Sequence, residues 1–168
     1  MLLERIRNDA VLSKYLSDDC EEEGICVALD QRIAKSAYII VKVDSYYNRE
    51  VLNPPPSPDC LIVQECTKTE TYAITIVELK SIKSSRGFTV DNMTGKFTTC
   101  LNDFIEKRFK DYFNRDFVKV ELLFVNNVKN YRRDAASAIE VLLAKKFPFQ
   151  GKRQMIKLLT SGSTIKSC

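Results

Sequence analysis

The sequence predicts an α/β fold, a mixed central sheet with flanking helices. Two observations carry this. A β-branched and aromatic run at 37–43, apolar runs at 60–65 and 72–79, and the segments 117–125 and 153–160 are each of strand length. Around them lie stretches whose apolar residues recur at helical spacing. Read in order, the chain gives α, β, β, β, α, β, α, β, which is a mixed sheet with helices on its faces.

Residues 2–17 read as the first helix, with Leu3, Ile6, Ala10 and Tyr15 along one stripe, and the acidic stretch 18–24 ends it. Residues 25–36 are expected to add a helical turn or two. The run Ala37-Tyr38-Ile39-Ile40-Val41-Lys42-Val43 is a strand. After it, Asn53-Pro54-Pro55-Pro56-Ser57-Pro58 forms an extended loop that no helix or central strand can cross. It is too short for a linker between domains, so 1–168 is read as one domain. Runs 60–65 and 72–79 flank Thr67-Lys68-Thr69-Glu70 and form a hairpin. Residues 94–113 carry Phe97, Leu101, Phe104, Ile105 and Phe109 at helical spacing. Strand 117–125 follows. Asp134 is expected to cap a helix through about residue 147, with Ala138, Ile139, Leu142 and Leu143 inward. Strand 153–160 closes the chain.

Composition narrows the chemistry. Hydrophobic residues are 45% and charged residues 29%, as in globular domains. No apolar run approaches the ~18 residues that span a bilayer. Met1 to Asp9 places charges where a signal peptide has its apolar stretch, so the expected compartment is cytoplasmic, with no membrane partner. Six cysteines without a CxxC pair are expected to be unpaired, small, half-buried hydrophobes in a reducing compartment, and not a zinc knuckle. The chain has no histidine. That excludes a Ser-His-Asp triad, a Cys-His pair and His-ligated zinc. Catalysis, if any, rests on carboxylates, lysines or a metal held by oxygen. Charge is uneven. Residues 1–30 hold three basic and eight acidic side chains, whereas 81–168 hold seventeen basic and eight acidic. A basic C-terminal half suits a polyanion such as nucleic acid, or is a solvated surface.

The informative residues are Pro58-Asp59 and Glu78-Leu79-Lys80. Each pattern, Pro-Asp and Asp/Glu-x-Lys, occurs once in the chain. Glu78 and Lys80 are two apart at the end of a strand, so they leave the same face. A hairpin symmetric about Lys68-Thr69 pairs residues whose numbers sum to 137. Asp59 then lies across from Glu78, with Cβ atoms about 4.5–5.5 Å apart. A slip of one residue would separate them onto opposite faces. Two close carboxylates repel unless a cation lies between them. Magnesium suits the pair, since it binds few protein oxygens plus substrate phosphate, and the Leu79 carbonyl could add a third ligand. Lys80 would orient or deprotonate the attacking water, or neutralise charge on the phosphate. The competing reading is a cross-strand ion pair on a sheet edge.

Pro58-Asp59, eighteen residues, then Glu78-Leu79-Lys80 within an αβββαβ order resembles the PD-(D/E)xK nuclease superfamily. That group contains type II restriction endonucleases, Holliday junction resolvases and repair nucleases. The core would cover about residues 1–125, with 126–168 an extension. The resemblance implies a restriction-endonuclease-like fold and a DNA endonuclease dependent on Mg²⁺, with Mn²⁺ as substitute. Asp59 and Glu78 would be metal ligands and Lys80 the catalytic lysine. Many members add an acidic ligand from the first helix; Glu4, Glu21, Glu22 and Glu23 are the candidates, left open. Lys83 and Arg86 after the active strand, Lys96 at the start of the next helix, and Arg132 and Arg133 before the following one are candidate DNA contacts, or ordinary surface charge. Tyr46 and Tyr47 either pack inside or stack on a base. A two-fold homodimer would match duplex DNA. The alternatives are a junction resolvase or repair nickase, an idle member that binds nucleic acid or protein, and an unrelated interaction module.

Overall fold

The computed structural model describes residues 1–66, 71–81, 88–127 and 133–168. The first helix, α1 (Leu2–Arg7), is far shorter than its apolar stripe suggests. Asp9 stops it: its Oδ1 accepts from the amides of Val11 and Leu12 at 2.8 and 2.7 Å. A carboxylate that takes two backbone donors competes with helix propagation. A 3₁₀ turn, Leu12–Tyr15, replaces the missing turns and still buries Leu12 and Tyr15. Three short strands follow, β1 (Leu16–Ser17), β2 (Cys20–Glu22) and β3 (Ile25–Leu29). Glu23 and Gly24 both take positive φ, 49° and 77°, and turn β2 into β3. In 25–36, where a helical turn or two is expected, Ile25–Leu29 are strand, and a single 3₁₀ turn, Lys35–Ala37, follows.

Strand β4 (Tyr38–Lys42) runs directly into helix α2 (Val43–Glu50), which sequence reading missed. Val43, Tyr46 and Tyr47 sit at i, i+3 and i+4, and all are buried. Both tyrosines are thus core residues, and Tyr46 packs edge-on against Tyr15, Tyr47, Phe104 and Phe109.

The central sheet adds β5 (Cys60–Cys66), β6 (Thr71–Leu79) and β7 (Phe117–Asn126), and its far edge is β10 (Ile156–Thr160). Its order is β1-β4-β5-β6-β7-β10. The pairs β1/β4, β4/β5 and β5/β6 are antiparallel; β6/β7 and β7/β10 are parallel. The parallel step from β6 to β7 is made through α3 (Val90–Thr98), a π-helical stretch (Thr99–Arg108) and α4 (Lys110–Phe113). The β5/β6 register is the expected one: from Cys60↔Val77 to Cys66↔Thr71, partners sum to 137. The hairpin tip, 67–70, lies outside the described residues.

Alternation along these strands builds two cores. Leu61, Val63, Ile74, Ile76, Leu122 and Phe124 face the helices, including α5 (Arg133–Leu143). Cys60, Ile62, Val77, Leu79, Leu123 and Val125 face the other way. There the cover is a small sheet, β11-β3-β2, with β11 at Ser163–Ile165. Among the described residues, helices therefore cover one face of the sheet, and the other is covered by the strands formed by residues 20–29 and the C-terminal tail. The short strands β8 (Phe147–Phe149) and β9 (Lys152–Gln154) pair with each other. Strand 153–160 is split accordingly. Residues after 125 are integral: Leu142 is fully buried in the helical core, and β10 extends the sheet.

Four cysteines are paired, as Cys20–Cys60 and Cys66–Cys168; Cys26 and Cys100 are free. This corrects the expectation of unpaired thiols, and the reducing compartment inferred from them loses that support. The bridges join residues 40 and 102 positions apart, which local spacing cannot reveal. Among the described residues, no helix is long and apolar enough to cross a membrane.

Thr89 caps α3, its Oγ1 accepting from the Asn92 amide at 3.1 Å. Thr89→Ala is expected to lower stability by about 1 kcal/mol, the usual cost of a lost N-cap. A urea titration monitored by far-UV circular dichroism checks it.

Candidate active site

The site lies where the C-terminal end of β6 meets the start of β5. Asp59 immediately precedes β5, and its Oδ2 accepts from the Leu79 amide at 2.6 Å. Strand alternation places Asp59 and Glu78 on the helical face, as the register required. Both are almost fully buried, Asp59 at 6% exposure and Glu78 at 1%. Burial first and the neighbouring Glu78 carboxylate second push the Asp59 carboxyl up to about 8, against the opposing Leu79 amide and Lys96 ammonium. Burial also raises Glu78, opposed by Lys96, Lys80 and the Asp59 carboxyl.

Among the described residues, Glu78 has one direct cationic partner: Lys96 Nζ lies 2.5 Å from its Oε1. Its other oxygen, Oε2, is buried, and among the described residues no N–H or hydroxyl donates to it; the Asp59 carboxyl is the further hydrogen-bonding neighbour of Glu78. Lys80 is half-buried, two residues past Glu78 on the same face, and near enough for its charge to act on Glu78. Its amide donates to the Val125 carbonyl at 2.9 Å, which fixes its backbone to β7.

A second layer of acid surrounds Asp59. Glu22 from β2, Asp44 from the first turn of α2, and Asp59 each offer one carboxylate oxygen, all within 4.8 Å of one another. Burial raises Asp44, and the nearby Glu22 adds to it. Of the four N-terminal candidates, Glu22 is the one brought to Asp59. Strand β2 puts it there, held by the Cys20–Cys60 bridge and by Lys42, whose Nζ donates to the Glu21 carbonyl at 2.9 Å. Sequence reading missed Asp44, since the helix that carries it was itself unseen. Its only sequence signal is an acidic residue just after a strand.

The remaining candidates divide. Lys96 is not at the start of a helix. It is well inside α3, and its ammonium is committed to Glu78 rather than free for a phosphate. Arg133 is the first residue of α5. Lys83, Arg86 and Arg132 lie outside the described residues. For Leu79 the described contact is its amide on Asp59.

The Glu22, Asp44 and Asp59 carboxylates are all-oxygen donors, as is Glu78 beside Asp59; such donors suit a hard divalent cation such as Mg²⁺ or Mn²⁺ and do not resemble a zinc or copper site. Comparison with protein-family models, with curated proteins and with solved structures finds no match to this chain.

The buried acid gives a pH signature without metal. Asp59 holds its proton up to about pH 8 when folded and loses it near 4 when unfolded. Between those values the folded state binds the extra proton, so stability falls as pH rises, by at most about 1.4 kcal/mol per unit. Asp59→Asn is expected to flatten that slope. Denaturation midpoints in EDTA at pH 5, 6, 7 and 8 test it, and parallel curves for both proteins would refute it.

Proposed function

We propose that this chain is a metal-dependent DNA endonuclease of the PD-(D/E)xK, restriction-endonuclease-like class. The observation that carries the reading is the buried Asp59–Glu78 pair, with an unsatisfied Glu78 oxygen, at the end of a β-meander. The topology supports it: β4, β5 and β6 run antiparallel in succession, and a helical crossover leads to the parallel strand β7. A solvated edge ion pair is a poor competitor, because both carboxyls are buried.

In this reading Asp59 and Glu78 hold the ion, with Glu22 and Asp44 supplying further acid beside Asp59. A bound Mg²⁺ or Mn²⁺ would neutralise these carboxylates and polarise a phosphate oxygen. Lys80 orients or deprotonates the attacking water and stabilises charge on the phosphate. The basic C-terminal half, net +9 over residues 81–168, supplies the general attraction to DNA. A homodimer would present one site to each strand of a duplex.

The test is cleavage of supercoiled plasmid, linear duplex and a four-way junction in Mg²⁺, in Mn²⁺ and in EDTA. Wild type is expected to cut with metal only, and Asp59→Ala with Glu78→Ala to be inactive. Preference for the junction would select the resolvase form, and nicking without linearisation the nickase form. If none of the substrates is cut in either metal, the endonuclease reading fails and an idle binding protein takes its place.

A further inference from the structure

We propose that Lys96 is a tethered placeholder for the metal, seated on Glu78 in the metal-free protein and displaced from it when a divalent ion binds. This rests on the metal-binding reading above and adds a positioning residue to it.

Glu78 cannot stand charged and alone. Its side chain is only 2% exposed, and a buried carboxylate needs a counter-charge within bonding distance. Lys96 provides it, from a helix whose backbone does not have to move. Met93 and Phe97, on either side of it in α3, are buried, and Thr89 caps the helix. The ammonium end is different. The Lys96 side chain is 22% exposed, so it has a path to water, and its four-carbon stem has rotatable bonds.

The vacant bonding capacity lies on the same carboxylate, at Oε2. An ion that uses Glu78 would stand within a few ångströms of the Lys96 ammonium, and like charges that close disfavour one another. The exchange breaks one hydrogen bond, Lys96 Nζ to Glu78 Oε1, and forms an ion–carboxylate bond. No electron moves, and any proton still on Asp59 leaves to solvent as that carboxylate takes the ion. The released ammonium stays on its stem beside the site, where a phosphate oxygen can take it as partner. Lys96 and Lys80 then have separate duties: Lys80 serves the reaction, and Lys96 guards the ligand until the ion arrives.

Because only the open form accepts the ion, apparent affinity is reduced by the fraction open; a pair closed ~90% of the time weakens binding about tenfold. Calorimetry with Mn²⁺ at pH 8, without DNA, on the full chain reads this directly. Lys96→Met is expected to bind about tenfold more tightly than wild type, and Lys96→Arg, which keeps a cation, close to wild type. Lys96→Gln, neutral but still a donor to Glu78, should follow Lys96→Met and serves if that variant does not fold. A merely structural lysine would leave affinity unchanged or weaken it on removal. Equal or weaker Mn²⁺ binding by the neutral variants, with wild type binding and Asp59→Ala/Glu78→Ala not binding, overturns the placeholder alone. Identical binding by wild type and that double variant overturns the metal site itself.

Discussion

Lys80→Ala is expected to slow single-turnover DNA cleavage by at least ~10²-fold, the scale of losing a general base or a charge stabiliser. DNA affinity and Mn²⁺ affinity should stay near wild type. The separation follows from who touches what. The direct ion pair on Glu78 is made by Lys96, so it survives the substitution. Asp59 keeps its bond from the Leu79 amide, and residue 80 keeps its amide bond to Val125 whatever its side chain. Lys80 is half-buried two residues beyond Glu78, and its charge acts on that carboxylate; in the proposed reaction it serves the water and the phosphate. Interactions made mainly in the transition state lower the rate when removed and leave ground-state binding intact. Rates under saturating enzyme, together with electrophoretic DNA binding in Ca²⁺, test both halves. A Lys80→Ala protein that cuts at the wild-type rate would remove Lys80 from the chemistry. A loss of DNA binding equal to the loss of rate would make it a grip on the ground state instead.

The Asp59–Glu78 pairing was legible because β5 and β6 are buried on both faces and so read as largely apolar runs, interrupted at Gln64 and Glu65 in one and at Thr75 in the other. Two such runs around a short polar tip have few registers available. Helix α2 was hidden for the opposite reason. Its sequence, Val43-Asp44-Ser45-Tyr46-Tyr47-Asn48-Arg49-Glu50, follows β4 without punctuation and is poor in strong helix formers. Burial of Val43, Tyr46 and Tyr47 makes it a helix, and that is a tertiary effect. The overlong first helix came from spacing too: Tyr15 is buried like Leu3 and Ile6 and so extends their stripe, although it sits in a separate 3₁₀ turn. Strand β2 was hard to read because Glu21 and Glu22 are exposed and only Cys20 is buried. Consequently the pair of carboxylates was readable, whereas Glu22, Asp44 and the Lys96 partnership were not, since each depends on an element brought in from elsewhere.

Loss of the Cys66–Cys168 bridge is expected to cost about 2–5 kcal/mol of stability. Its size comes from the unfolded chain. The bridge spans 102 residues, from the end of β5 to the last residue, and closing a loop of ~100 residues removes about 4.7 kcal/mol of unfolded-state freedom in the chain-entropy account. In the folded protein the bridge also anchors the tail that carries β11, whose Ser163–Ile165 pairs in parallel with Val27–Leu29. Cys20–Cys60 closes a separate, earlier loop, so the two constraints do not overlap in sequence. By the same account it adds about 4 kcal/mol. The sum is comparable to the whole stability of an ordinary domain, roughly 5–15 kcal/mol. Cys168→Ser should therefore shift the denaturant midpoint clearly, and Cys66→Ser/Cys168→Ser should cost no more than either single change, because the pair acts as a unit. Full reduction of wild type should leave a protein near the edge of unfolding, with β2 and Glu22 freed from Asp59. Alkylation in denaturant, read by mass, gives the decisive count: two reactive thiols without reductant, Cys26 and Cys100, and six with it. Six in both conditions would mean that neither bridge forms, and the stability of the chain would have to come from its two cores alone.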